Sequence, residues 1–108
     1  MTLEQLYDML SKTSFAVYYS SFEGEPDTIP YIIYYEAGRR QILADDEIYK
    51  EFKIIHVTLY TREKDAAAER RLEKRLRGSG IIYSFKDFGA IPDEELYQVE
   101  YEFEIQED

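Results

Sequence analysis

A chain of 108 residues with 13 Lys and Arg against 23 Asp and Glu, a net charge of -10, is long enough for one domain with a buried core and too short for two. That charge argues against sequence-specific nucleic-acid binding, which draws affinity from cations that release counterions around phosphate. No cysteine supplies a disulfide or thiolate site, and no long apolar run or basic-then-apolar leader is present, so the chain reads as soluble, unprocessed and suited to the cytosol, without a membrane partner.

The first residues predict a helix. Thr2 and Gln5 have capping-box spacing, and Leu6, Met9 and Leu10 recur at helical intervals before an end near Lys12. Phe15 to Tyr19 is a β-branched and aromatic run that predicts a strand, and Ser20 to Pro30, with Gly24, Pro26 and Asp27, carries the turn chemistry of an exposed loop. Tyr31 to Glu36 predicts a second strand, Gly38 with Arg39 and Arg40 a turn, and Ile42 to Ala44 a short third strand. Tyr49 to Thr61 is apolar on both sides near its centre, as expected of the long central strand.

Thr61 is placed to cap a second helix, with Glu63 and Asp65 in its first turn, Lys74, Arg75 and Arg77 in its last, and Gly78 as a left-handed stop. Ala68, Leu72 and Leu76 give that helix a narrow apolar stripe. Ile81 to Phe88 and Leu96 to Ile105 predict a closing hairpin looped through Gly89, Ala90, Ile91 and Pro92. In the last strand Tyr97, Val99, Tyr101, Phe103 and Ile105 alternate strictly with Gln98, Glu100, Glu102 and Glu104, so one side packs and the other faces water as a carboxylate row. The fold class expected is α+β: an antiparallel or mixed sheet of about five strands, two helices on one face, in the order α-β-β-(β)-β-α-β-β.

Chemistry-bearing residues are sparse. His56 is the sole histidine and has no nucleophile or metal-spaced carboxylate near it in sequence, which favours a structural role. Asp45, Asp46 and Glu47 lack the alternating ligand spacing of a calcium loop, and Asp93, Glu94 and Glu95 read equally as solvated turns. Gly78 and Gly80 follow a helix where a phosphate-cradling loop should precede one. These residues nominate no enzyme activity, cofactor or metal site.

Two charged surfaces remain. Arg62 to Arg77 holds seven basic and four acidic residues, whereas Asp93 to Asp108 holds eight acidic and no basic ones. The candidate assembly surfaces are therefore Arg70, Arg71, Lys74, Arg75 and Arg77 on the helix, and Glu100, Glu102 and Glu104 on the last strand. Each reads alone as a solvated face. Together, opposite patches on copies of one molecule attract head to tail, and such heterologous contacts close into rings.

Ala44-Asp45-Asp46 with Ile48-Tyr49, the run Val57 to Asp65, the helix with Leu72 and Leu76, Gly80-Ile81-Ile82-Tyr83 and the run Leu96 to Phe103 together resemble the small minor tail proteins of long-tailed bacteriophages and of prophages of Gram-positive bacteria. These are grouped with tail-completion, tail-terminator and head-tail joining proteins. The likeness covers Tyr31 to the end, and the basic character of Arg70 to Arg77 exceeds the family's pattern. The resemblance implies an α/β assembly domain, commonly in a six-fold ring at the head-proximal end of a tail, with copies of itself and tail or connector proteins as partners. Its place would be the virion tail, and the host cytoplasm during assembly; no cofactor or enzyme activity is implied. On this reading the acidic face is expected to turn toward a DNA channel and repel passing phosphate. The alternative is an acidic inhibitor whose Glu row imitates DNA toward a nucleic-acid-binding enzyme.

Overall fold

Thr2 and Gln5 form the reciprocal cap that their spacing predicts. In the computed structural model, which describes residues 1–20 and 28–106, the Gln5 amide donates to the Thr2 hydroxyl at 3.0 Å, and the Thr2 amide donates to the Gln5 side-chain oxygen at 2.9 Å. Helix α1 (Leu3–Ser11) follows and buries Leu6, Met9 and Leu10. Strand β1 (Ala16–Tyr19) comes next; the predicted loop residues Gly24, Pro26 and Asp27 lie outside the described residues.

β1 runs parallel to β2 (Tyr31–Ala44), and β2 pairs antiparallel with β3 (Glu47–Thr61). After helix α2 (Ala66–Gly78), β4 (Ser84–Ile91) and β5 (Leu96–Ile105) form the closing hairpin, and β5 returns alongside β3. The result is an α+β fold with a five-stranded mixed sheet in the order β1-β2-β3-β5-β4. The alternation in β5 decides its faces as predicted: Val99, Tyr101, Phe103 and Ile105 join Ile32, Ile55, Val57 and Leu59 in one core under both helices. α2 adds Ala68, Leu72 and Leu76 to that core. Burying each such aliphatic side chain contributes about 1.5–3 kcal/mol relative to leaving it exposed.

Several predicted boundaries differ from the structure. Gly38, Arg39 and Arg40 are not a turn: β2 continues through them to Ala44, with a bulge between Glu36 and Gly38, so the separate third strand does not exist. The chain reverses instead at Asp45 and Asp46, whose φ values of 54° and 63° suit a two-residue turn with both central residues left-handed. The extension through Arg39 and Arg40 is held by partners remote in sequence, which local turn chemistry does not register.

The cap of α2 is Asp65, whose side chain accepts from the Ala68 amide at 3.0 Å; the Thr61 hydroxyl donates to the Glu63 carbonyl at 2.7 Å instead. At the other end Gly78 is still helical, and the left-handed residue is Gly80, at φ 76°. The Gly80 amide donates to the Arg77 carbonyl and the Ile81 amide to that of Leu76, both at 3.0 Å, the paired bonds of a Schellman stop. Finally, β4 starts at Ser84 rather than Ile81 and runs through Gly89 to Ile91, so the hairpin turn falls on Pro92 to Glu95.

β3 pairs with β5 only from Lys53 to Thr61. Beyond that, β2 and β3 continue by themselves as a two-stranded arm, residues 39–52. Its free part, residues 47–52 of β3 at about 3.3 Å each, projects about 20 Å from the sheet. The arm accounts for the elongated outline, 51 × 27 × 23 Å.

Candidate assembly surfaces

The residues predicted to meet partners fall on opposite sides of the sheet. Because α1 and α2 cover one face, Glu100, Glu102 and Glu104 of β5 point out from the other. They are not a bare row. Arg40 reaches across from β2 and holds Glu104 through Nε and Nη2, each at 2.9 Å, while its guanidinium lies 4.6 Å from the Phe52 ring centre. The Arg40 hydrogen bond keeps the Glu104 carboxyl below its ordinary pKa. Glu102 meets His56 Nε2 at 2.7 Å and Lys86 Nζ at 3.8 Å. Glu100 accepts from the Thr58 hydroxyl at 3.2 Å and stands 3.5 Å from His56 Nδ1.

His56 is thus the centre of a polar network on an open sheet. Both ring nitrogens have partners: Nε2 lies 2.7 Å from Glu102, and Nδ1 lies 3.1 Å from the Tyr35 hydroxyl. Burial, and secondarily Glu100, push the Tyr35 and Tyr60 phenols upward, and Tyr60 stacks on Tyr31 at 4.8 Å between ring centres. Among the described residues no group of three or more His, Asp or Glu is placed to hold a metal ion. No helix of the described residues is long and apolar enough to cross a membrane.

The basic residues of α2 divide between its flanks. Arg70, Arg71, Lys74 and Arg75 line a groove of about 1150 Å³ between α1 and α2, with Met1, Met9 and Ala67 on its floor and walls and Asp8 and Lys12 on the α1 side. Arg71 is tethered, with its guanidinium 5.5 Å from the Phe15 ring centre and Nη1 donating to the Thr13 carbonyl at 3.4 Å. Arg70, Lys74 and Arg75 make no ion pair among the described residues. Arg77 lies outside the groove, 5.7 Å from the Tyr83 ring centre and 4.0 Å from Glu73. Glu73 is engaged inward: it accepts from Tyr101 at 2.7 Å and from Tyr83 at 3.2 Å, which pins α2 to the sheet and aims its basic side outward.

The arm is the surface that sequence reasoning missed. One side of its stem is laced by Arg39 to Glu36 and Glu51, at 2.9 and 3.0 Å, and by Gln41 to Glu51 at 2.8 Å; the other is held by Arg40 and Glu104. Past this lacing the tip is bare. Leu43, Ile48 and Tyr49 are 65%, 57% and 68% exposed, and Asp45, Asp46 and Glu47 between them make no ion pair among the described residues. The signal that was available is a pair of turn-forming acids between Ile42-Leu43 and Ile48-Tyr49. A second exposed apolar set, Ile82, Phe85 and Phe88, lies on and before the edge strand β4. Compared with known proteins, the chain matches no family model and no curated sequence.

Proposed function

We propose that this chain is a structural subunit of a phage tail, which forms or joins a ring at the head-proximal end and either terminates tail growth or joins tail to head. Its partners are copies of itself and neighbouring tail or connector proteins, its site is the virion tail, and it passes through the host cytoplasm during assembly. The observation that carries the assembly part is the arm: a stiffened ribbon that projects about 20 Å and ends in uncovered apolar side chains is a means of reaching another subunit. The phage part rests on the sequence resemblance over Tyr31 to the end.

The reading involves no catalysis: His56 is engaged by Glu102 and the Tyr35 hydroxyl within the sheet, and among the described residues no nucleophile stands beside it. The DNA-imitating alternative draws less support from the geometry than from the sequence, because Arg40 and Lys86 stand against Glu104 and Glu102 where a mimic needs unmatched carboxylates. The same pairing weakens the expectation that this face repels DNA in a channel. Deleting the gene from its phage and imaging the particles tests the proposal. Tails of abnormal length or detached from heads are expected; normal tails firmly joined to heads refute it.

A further inference from the structure

We propose that the arm of one copy seats in the groove between α1 and α2 of a second copy, as a head-to-tail contact. This deepens the assembly reading and rests on it.

Four features match the two surfaces. The first is length: the free arm extends about 20 Å, and α2, which lines the groove from Ala67 to Ser79, has 13 residues at about 1.5 Å rise, again about 20 Å. The second is charge. The tip carries Asp45, Asp46 and Glu47 without ion-pair partners among the described residues, and the groove presents Arg70, Lys74 and Arg75 likewise unpaired, against the single carboxylate of Asp8. Third, the tip offers Leu43 and Ile48, which pair across the ribbon, and the groove offers Met1, Met9 and Ala67.

Fourth, the arm cannot serve its own groove. β2 and β3 are continuous with the sheet, so the tip is carried away from the body, and the groove lies along the helix-covered face. A second copy is the occupant that the chain itself supplies. Donor and acceptor are different surfaces, so the contact is heterologous and propagates in one direction until it closes on itself. The apolar edge at Ile82, Phe85 and Phe88 is the rival seat; its neighbours Lys86 and Asp87 are of opposite sign and give the acidic tip no net attraction.

The chain has no native cysteine, so single cysteines report proximity cleanly. Full-length D46C is mixed with K74C, with I82C and with E94C under mild oxidation, and mixed disulfides are quantified; circular dichroism confirms that each variant folds. The expected result is at least about tenfold more D46C–K74C product than D46C–E94C product, the scale of electrostatic enrichment, collapsing in 1 M salt where the screening length is about 3 Å. Charge reversal in the groove, R70E with R75E, is expected to remove the excess, and reversal of the tip with D45K and E47K is expected to restore it.

Equal yields for K74C and E94C, or an excess at I82C, overturn the proposal. The outcome separates from that of the gene deletion. Aberrant tails without a D46C–K74C product leave the tail role standing and move the contact elsewhere. A D46C–K74C product with normal tails keeps the contact and removes the tail role.

Discussion

Tyr101→Phe isolates the bond that orients the basic helix. Tyr101 is fully buried, and its hydroxyl donates to Glu73 at 2.7 Å, joining β5 to α2. Phenylalanine keeps the ring contacts, with Tyr83 at 5.3 Å and Phe85 at 5.2 Å between centres, and deletes only the donor. A hydrogen bond to a charged group contributes roughly 1.5–3 kcal/mol. Because Tyr83 still donates to the same carboxylate at 3.2 Å, the loss belongs in the lower part of that range, about 1.5–2 kcal/mol. At about 4–8 °C per kcal/mol for a domain of this size, the melting temperature should fall by roughly 10 °C. Urea unfolding at neutral pH, with an unchanged m-value, measures the loss; a change below about 0.5 kcal/mol refutes the assigned bond.

The same residue gives an alkaline signature. Burial first, then Glu73, push the Tyr101 phenol far above its ordinary 10.0. The unfolded chain therefore releases this proton from about pH 10 while the folded chain retains it, so the folded state binds more protons and stability falls as pH rises. The contribution is complete below pH 10 and declines by about 1.4 kcal/mol per pH unit above it, until the folded phenol itself titrates. Burial raises Tyr34 and Tyr60 as well, so Tyr101→Phe should flatten the alkaline limb without abolishing it. Identical limbs in the two proteins contradict the argument.

The two glycines after α2 should respond with opposite signs. Gly80 sits at φ 76° with open space around it, so Gly80→Ala costs about 1–2 kcal/mol in backbone strain alone; Gly78 is helical and equally open, so Gly78→Ala stabilises by about 0.5–1 kcal/mol, both read by thermal melts. Arg40→Gln removes an ion pair whose side chains are 49% and 36% exposed, so the melting temperature of the whole domain should hardly move, while amide exchange speeds up in residues 39–52. In that variant the Glu104 carboxyl, released from the guanidinium that depresses it, should titrate at higher pH by NMR. Asp46→Gly places a residue that tolerates positive φ at the second turn position, and should slow amide exchange at the arm tip.

Much of the fold was legible because the relevant interactions are close in sequence. The Thr2–Gln5 cap spans three residues, the α2 stripe repeats every four, and the β5 alternation declares which side chains enter the core. The arm was illegible for the opposite reason. Gly38-Arg39-Arg40 carries local turn character, and it is overruled by Glu51, twelve positions from Arg39, and Glu104, 64 positions from Arg40. The pairing of the acidic row was illegible in the same way: Arg40 and Lys86, the cations beside Glu104 and Glu102, come from other strands, and His56 lies 46 positions from Glu102. The basic helix face was visible in composition, but the groove it forms with α1 requires two helices that are 55 positions apart, from Ser11 to Ala66, to lie side by side.

The placement of unpaired charge gives the contact a direction. On the open face the β5 carboxylates meet Arg40, Lys86, His56 and Thr58, so much of the uncompensated acidity moves to the two hairpin turns, Asp45 to Glu47 and Asp93 to Glu95. Thr61 of β3 lies opposite Tyr97 of β5, and Lys53 opposite Ile105, so these turns stand at opposite ends of the sheet. Two arms meeting tip to tip would bring six carboxylates together, and an arm meeting the far end of another copy would do the same. Both arrangements are repulsive, whereas α2 offers the arm cations along its whole exposed side. Like charges thus disfavour the symmetric dimer that an apolar tip alone would promote, and what remains is a polar, end-to-side contact whose strength should decline with added salt.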